Sequence, residues 1–215
     1  MENSVVMPKY LHQLIMMGEG ETLDFKYSIS DPRKIAITLS AFANTRGGTL
    51  LIGIRDNGTV AGSNYQEDAH MLHAAAELYC RPHVDFSLNT WKASGKYVLE
   101  AIIQRSAHRP VMAEAVQGEW RAYMRRNDEN FPAPGVFIQF WKMEETPIEE
   151  RYNHTPREQK VFELLNEGRN LSVSQLARAV DVHPKEMSTL LAKFMRWGLI
   201  DYEFDQGIAR YKLLN

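Results

Sequence analysis

One cysteine, Cys80, is all the thiol that this chain of 215 residues carries. It excludes an internal disulfide framework and suits a reducing compartment. Long apolar runs are missing too: no stretch reaches the roughly 18 consecutive residues that a bilayer crossing needs. The opening residues lack the basic region and long apolar run of a signal peptide, so the protein is expected to stay in the cytoplasm, away from membranes. Glycine (13) and proline (9) are too sparse for a collagenous or low-complexity chain. An excess of one charge is also absent, with 25 Lys or Arg against 27 Asp or Glu and a net charge of -2. Nothing draws the whole molecule to nucleic acid or to an acidic surface, so any such contact has to come from a local patch.

What is present is an ordinary folded composition, 44% hydrophobic and 24% charged, long enough for one medium domain and one small one. Residues 8 to 17 read as a short amphipathic helix with Leu11, Leu14 and Ile15 on one face. Residues 22 to 27 alternate as a half-buried strand does, with Asp24 and Lys26 on the polar face. Asp31-Pro32 opens a second helix that places Ile35, Leu39 and Phe42 on one stripe and stops at Gly47-Gly48. The apolar run 49 to 54 then predicts a central strand closed by an Asp56-Asn57-Gly58 turn. A helix is expected over 66 to 80 with Met71, Ala75 and Leu78 inward, followed by antiparallel strands over 84–91, 97–104 and 119–125 and a helix over 132–141.

Residues 143 to 154 are charged and non-periodic and predict a linker between a first domain (1–142) and a second (155–215). Thr155-Pro156-Arg157-Glu158 has the shape of a capping box. Two further helices, joined at Asp181-Val182-His183-Pro184, and a terminal hairpin around Asp205-Gln206-Gly207 complete a winged helix-turn-helix pattern. Its third helix puts Met187, Leu190, Leu191 and Phe194 at core spacing. Lys185, Ser188, Thr189, Lys193 and Arg196 are left as candidate groove and phosphate contacts. Residues 155 to 215 hold nine basic and eight acidic residues, weakly charged for a DNA reader, so a protein-contact module is the alternative.

The segment Glu19-Gly-Glu-Thr-Leu-Asp24-Phe25-Lys26, followed by Ala41-Phe42-Ala43-Asn44-Thr45-Arg46-Gly47-Gly48 and by Ile52-Gly53-Ile54-Arg55-Asp56-Asn57-Gly58, resembles the Schlafen-type AlbA-like domain over roughly residues 12 to 130. The resemblance implies an α+β fold: a mixed AlbA/Schlafen-like domain, here followed by a small winged helix. In bacteria the domain carries a DNA-binding label. A DNA-binding transcriptional regulator is therefore the expected function, with DNA as first partner and RNA as second. In animal relatives that cleave RNA, three acidic residues act together, and the matching positions here are Glu19, Asp24 and Asp56. The resemblance thus also implies an alternative, a Mg²⁺- or Mn²⁺-dependent endoribonuclease in which Lys26 binds the scissile phosphate; otherwise no cofactor is expected. Asp24 is one methylene shorter than the family's usual Glu. A protein-interaction adaptor is a third possibility. Animal cores pair two related lobes, so a single copy implies a homodimer.

Other signatures fail on their own terms. Gly48 to Gly53 has phosphate-loop glycine spacing without the Lys and Ser/Thr that hold phosphate and magnesium, and Gly18 to Leu23 lacks a third glycine. His70, His73, Cys80 and His83 have zinc-like spacing, with His70, His73, Glu77 and Cys80 on one face of the expected helix. The spacing suits an ordinary polar helix face equally well, and no metal is expected there. In the first domain Arg46, Arg55, Arg125 and Arg126, together with Arg105, Arg109 and Arg121, are candidates for a basic surface, with Trp91 or Trp120 as stacking groups.

Overall fold

The computed structural model describes residues 7–148, 155–166 and 170–214. Its elements run α1 (Lys9–Met17), β1 (Leu23–Lys26), α2 (Pro32–Asn44), β2 (Gly48–Ile52), α3 (Tyr65–Leu78), β3 (Cys80–Arg81), β4 (Phe86–Ala93), β5 (Lys96–Ile103), β6 (Met112–Val116), β7 (Glu119–Arg126), β8 (Glu129–Pro132), α4 (Gly135–Met143), α5 (Pro156–Asn166), β9 (Leu171–Ser172), α6 (Val173–Ala179), α7 (Pro184–Arg196), β10 (Ile200–Asp205) and β11 (Ile208–Leu213). The architecture is α+β, and the chain divides into two compact units, residues 1–133 and 134–215.

In the first unit one sheet has the order β1-β2-β5-β4 and a second has the order β3-β6-β7-β8. The β1–β2 pair is parallel, with Lys26 opposite Ile52, and the remaining ladders are antiparallel. α1 covers one face of the first sheet, where Leu11 packs with Leu23, Phe25, Leu51, Ile54 and Val98. α2 lies against the other face and also against the second sheet, so it is buried nearly all round from Ile35 to Asn44. That double burial is why the expected single stripe of Ile35, Leu39 and Phe42 understates it: Ser40 and Asn44 are buried as well.

The signature block explains itself mechanically. Asp31 caps α2 by accepting from the Arg33 N–H at 2.9 Å. Asn44, 1% exposed, donates to Val111 O and Tyr123 O at 2.8 Å each and accepts from the Val111 N–H at 2.7 Å, which ties the end of α2 to the second sheet. Gly47 has a φ of 76° and its backbone runs so close to Ile103 that a Cβ would stand 2.7 Å from the carbonyl oxygen. A Cβ on Gly48 would meet the Phe42 ring at 2.6 Å. Asn44, Gly47 and Gly48 are thus demands of packing.

Two expectations are corrected in this unit. The strand β1 is not half-buried: Asp24 is 3% exposed, because β7 brings Arg125 over the face that alternation marks as polar. The inward stripe of α3 is Asp68, Leu72, Ala75 and Ala76, and Leu78 is 63% exposed. The helix ends at Leu78, two residues too early for Cys80 to share its face.

The second unit starts with α4, earlier than the expected boundary after residue 142. Val136, Phe137 and Trp141 are buried, and the Phe137 ring meets Tyr202 edge-on at 4.6 Å. Of the expected linker, residues 149–154 lie outside the described residues. Thr155 and Glu158 exchange backbone and side-chain hydrogen bonds (2.8 and 3.3 Å) in the capping box that opens α5. Ser172 and Gln175 do the same for α6, while His183 caps α7. A three-stranded sheet of order β10-β11-β9 closes the unit, turning at Gln206-Gly207 where both residues have positive φ. The α7 core is Met187, Leu191, Ala192 and Phe194, with Leu190 half-buried.

Candidate nucleic-acid interface

The parallel pairing of β1 with β2 ends both strands at one edge of the first sheet, the position where open sheets with parallel strands place their ligands. Two sets of residues collect there. One is buried beneath the edge and the other lies open upon it.

The buried set centres on Asp24. Arg125, with a side chain 1% exposed, donates to Asp24 Oδ1 at 3.0 Å, to Gly20 O and Leu23 O at 2.8 and 3.1 Å, and to Asn130 Oδ1 at 3.1 Å. Lys26 Nζ stands 2.6 Å from Asp24 Oδ2 and donates to Phe25 O at 2.9 Å. Glu19 accepts from the Phe25 N–H at 2.8 Å. Its carboxyl is held above the ordinary range, chiefly by burial; the Phe25 N–H opposes that rise and the neighbouring Asp24 carboxylate adds to it.

The structure therefore brings Glu19, Asp24 and Lys26 together but not Asp56. Asp56 sits on the exposed turn, where Gly58 N–H donates to Arg55 O and Thr59 N–H to Asn57 Oδ1. Among the described residues no three His, Cys, Asp or Glu side chains gather in a way that would hold a metal. A divalent ion also needs free carboxylate oxygens. Both oxygens of Asp24 already face cations, so this arrangement does not fit Mg²⁺ or Mn²⁺.

The open set follows directly in sequence. Tyr27 is 56% exposed and carries the Arg55 guanidinium 4.8 Å above its ring centroid. The two residues are brought side by side because Gly53 and Ile54 N–H both donate to Lys26 O, at 2.8 and 3.2 Å. Lys26 is partly exposed beside them. Next to this edge, α1 and the Asp56 turn border an open cavity of about 430 Å³ lined by Met7, His12, Ile15, Met16, Phe25 and Asp56, among others.

Several expected contacts are placed elsewhere. Arg125 is a structural ion-pair partner and is too buried to touch a ligand. Arg46 is open but paired with Glu21 at 2.9 Å. Arg126 is half-buried with its guanidinium 5.7 Å from the Phe131 ring centroid. Arg109 is buried and donates to Asn44 O, and Arg121 pairs with Glu119. Trp91 donates to Glu100 at 2.8 Å, and Trp120 lies under Arg81. In the second unit Arg196 donates to the Glu144 and Thr146 carbonyls at 3.0 and 3.1 Å, fixing the end of α4. Ser188 bonds Pro184 O and is the side chain nearest Gly135, so α4 covers that flank of α7. Lys185 and Thr189 remain exposed; Lys193 lies 3.8 Å from Glu158 and over the Trp197 ring.

The zinc-like spacing does not assemble. Cys80 is 2% exposed in the core, its thiol pushed up to about 12 by burial, while His70 and His73 are exposed and His83 faces Asp85. Two features went unread in the sequence. Tyr27 gave only the faint signal of an aromatic just past a strand end. Glu100, a carboxylate amid the apolar run of β5, is wholly buried and accepts from Tyr10 Oη, Asn89 Nδ2 and Trp91 Nε1 at 2.8 to 3.0 Å. A charge in the middle of a central strand was the available clue.

A family model described as Schlafen, AlbA_2 matches residues 19–134. Among solved structures, the chain is similar to the DIP2311 protein from Corynebacterium diphtheriae, with 18% identity and a TM-score of 0.46 over 69% of this chain and 33% of that one. It is also similar to the N-terminal domain of a protein from Nitrosomonas europaea described as ATP-dependent DNA helicase RecG-related, with 19% identity and a TM-score of 0.42 over 67% of this chain and 95% of that one. The chain thus spans about a third of the length of the Corynebacterium structure. No curated protein matches it.

Proposed function

Because the chain belongs to the Schlafen AlbA_2 family, whose model covers more than half of its residues, we propose that the protein binds nucleic acid through the open end of β1 and β2. The observation that carries this reading is the exposed Tyr27 ring under the Arg55 guanidinium, with the Lys26 ammonium beside it. An aromatic face next to cations is what unpaired bases and their phosphates recognise: the ring stacks on a base of any identity and the cations meet the backbone. In this reading the strand is held and not cut, since Asp24 is engaged by Arg125 and Lys26.

The second unit is read as a winged helix-turn-helix, residues 155–215 extended by α4, and the whole as a cytoplasmic DNA-binding transcriptional regulator acting as a homodimer. Its α7 offers Lys185, Thr189 and Lys193 to a partner, while Ser188 and Arg196 serve α4 instead. No helix among the described residues is long and apolar enough to cross a membrane.

Fluorescence anisotropy with labelled single-stranded and duplex oligonucleotides tests the proposal. Binding that weakens as salt rises, and weakens about tenfold in Tyr27→Ala or Arg55→Ala, is the expected result. Equal affinity of both variants and wild type would remove the edge from the interface. Sedimentation showing only monomer at micromolar concentration would remove the dimer.

A further inference from the structure

We infer that the cavity between α1 and the Asp56 turn is a pocket for one unpaired guanine base; this rests on the nucleic-acid reading of the adjoining edge. Three observations carry it. First, the cavity is built: Ile15 Cγ2 lies 3.0 Å from where a Cβ on Gly58 would stand, so α1 and the turn close on one another and leave about 430 Å³ between them and Phe25. That volume is at the scale of small-ligand pockets and exceeds what one base needs. Second, its walls are mostly apolar, from Met7, Ile15, Met16 and Phe25, and so can take the flat faces of a ring. Third, Asp56 is among the residues that line it, and its carboxylate has no hydrogen-bond or ion-pair partner among the described residues, one residue from Arg55.

An unpaired carboxylate selects among bases by simple chemistry. It offers two acceptor oxygens side by side and no donor. Guanine alone presents two adjacent N–H groups on its Watson–Crick edge, N1–H and the 2-amino group. Adenine and cytosine each set one amino group beside a ring nitrogen lone pair that repels the carboxylate, and uracil or thymine flanks its single N–H with two carbonyls. Asn57 Oδ1 is occupied by the Thr59 N–H, so the Asn57 side chain meets a ligand with its amide N–H₂. Asp56, which the family resemblance places in an acidic triad, is thereby assigned to base recognition, consistent with its separation from Glu19 and Asp24.

The test uses the full chain and short oligothymidylates carrying one central guanine, inosine, adenine or cytosine. Guanine is expected to bind about tenfold or more tightly than adenine or cytosine, with inosine, which lacks the 2-amino group, in between. Asp56→Ala is expected to erase the differences between bases while leaving background affinity, and Arg55→Ala to lower all four alike. Asp56 is exposed on a turn, so its loss leaves the fold intact. Binding that is indifferent to the central base, or a guanine preference that survives Asp56→Ala, overturns this inference and leaves the nucleic-acid reading standing. Failure of every oligonucleotide to bind overturns both.

Discussion

The two sides of the β1–β2 edge carry similar residue types and do opposite work. Beneath it, Asp24 and Arg125 face one another in the dry interior, and the guanidinium fork is spent within the fold, on Asp24 and Leu23 of β1, on the Gly20 carbonyl just before it and on Asn130 of β8. Upon it, Arg55 rests on an exposed tyrosine, and Asp56 lines a cavity with no hydrogen-bond or ion-pair partner among the described residues. Burial decides the difference. A charge pair taken out of water has to satisfy itself within the fold, whereas a solvated pair is free to exchange water for a ligand. The lesson is that an arginine or an aspartate in a signature motif is no guide to chemistry until its solvent exposure is known.

The comparison predicts a clean separation between stability and binding. The largest effect belongs to Arg125→Met, which leaves the buried Asp24 carboxylate with Lys26 alone, strands the Gly20 and Leu23 carbonyls and is expected to cost about 3–5 kcal/mol. Urea denaturation measures it, and a loss below about 1 kcal/mol would mean that the buried side is no clamp. Asn44→Ala removes both amide donors and the acceptor that join α2 to Val111 and Tyr123, for about 3 kcal/mol by the same measurement. On the open side the pattern reverses. Tyr27→Ala and Arg55→Ala are expected to shift stability by no more than about 0.5 kcal/mol while weakening oligonucleotide binding about tenfold. A Tyr27→Ala protein that is strongly destabilised would break the contrast.

How much of this was legible beforehand follows from the same distinction. Local signals were read well where local physics decides: Asp31 as a cap, the Thr155–Glu158 box and the Gln206-Gly207 turn all depend on neighbours within a few residues. The family was legible as well, from a block whose glycines and asparagine are required by packing. Residues whose role depends on a distant strand were not. Arg125 lies 101 positions from Asp24, and no periodicity in β1 announces that its polar face is roofed. Arg196 and Ser188 look like groove contacts on a helical wheel until α4, some fifty residues earlier, covers their flank. Cys80 and the histidines shared a spacing but not a helix, because α3 stops at Leu78.

The smallest predicted effect concerns the residue that stands on the border between the two sides. Glu19 is half-buried, and its carboxyl is raised above its ordinary value of 4.5 mainly by burial, with the Asp24 carboxylate adding to the rise and the Phe25 N–H opposing it. A raised carboxylate means that the folded protein binds the proton more tightly than the unfolded chain does. Its contribution to stability is therefore greatest below pH 4.5 and declines as pH climbs through the folded value, the reverse of an ion-paired carboxylate. Glu19→Gln keeps the acceptor oxygen for the Phe25 N–H and removes the titration. The urea midpoint of the variant, followed upward from pH 4.5, is expected to lose that downward slope and to lie at or slightly above wild type at neutral pH. A variant that is less stable at neutral pH and steeper in its pH dependence would mean that the Glu19 charge is favoured by the fold, and would place Glu19 with Asp24 among the residues that Arg125 and Lys26 hold.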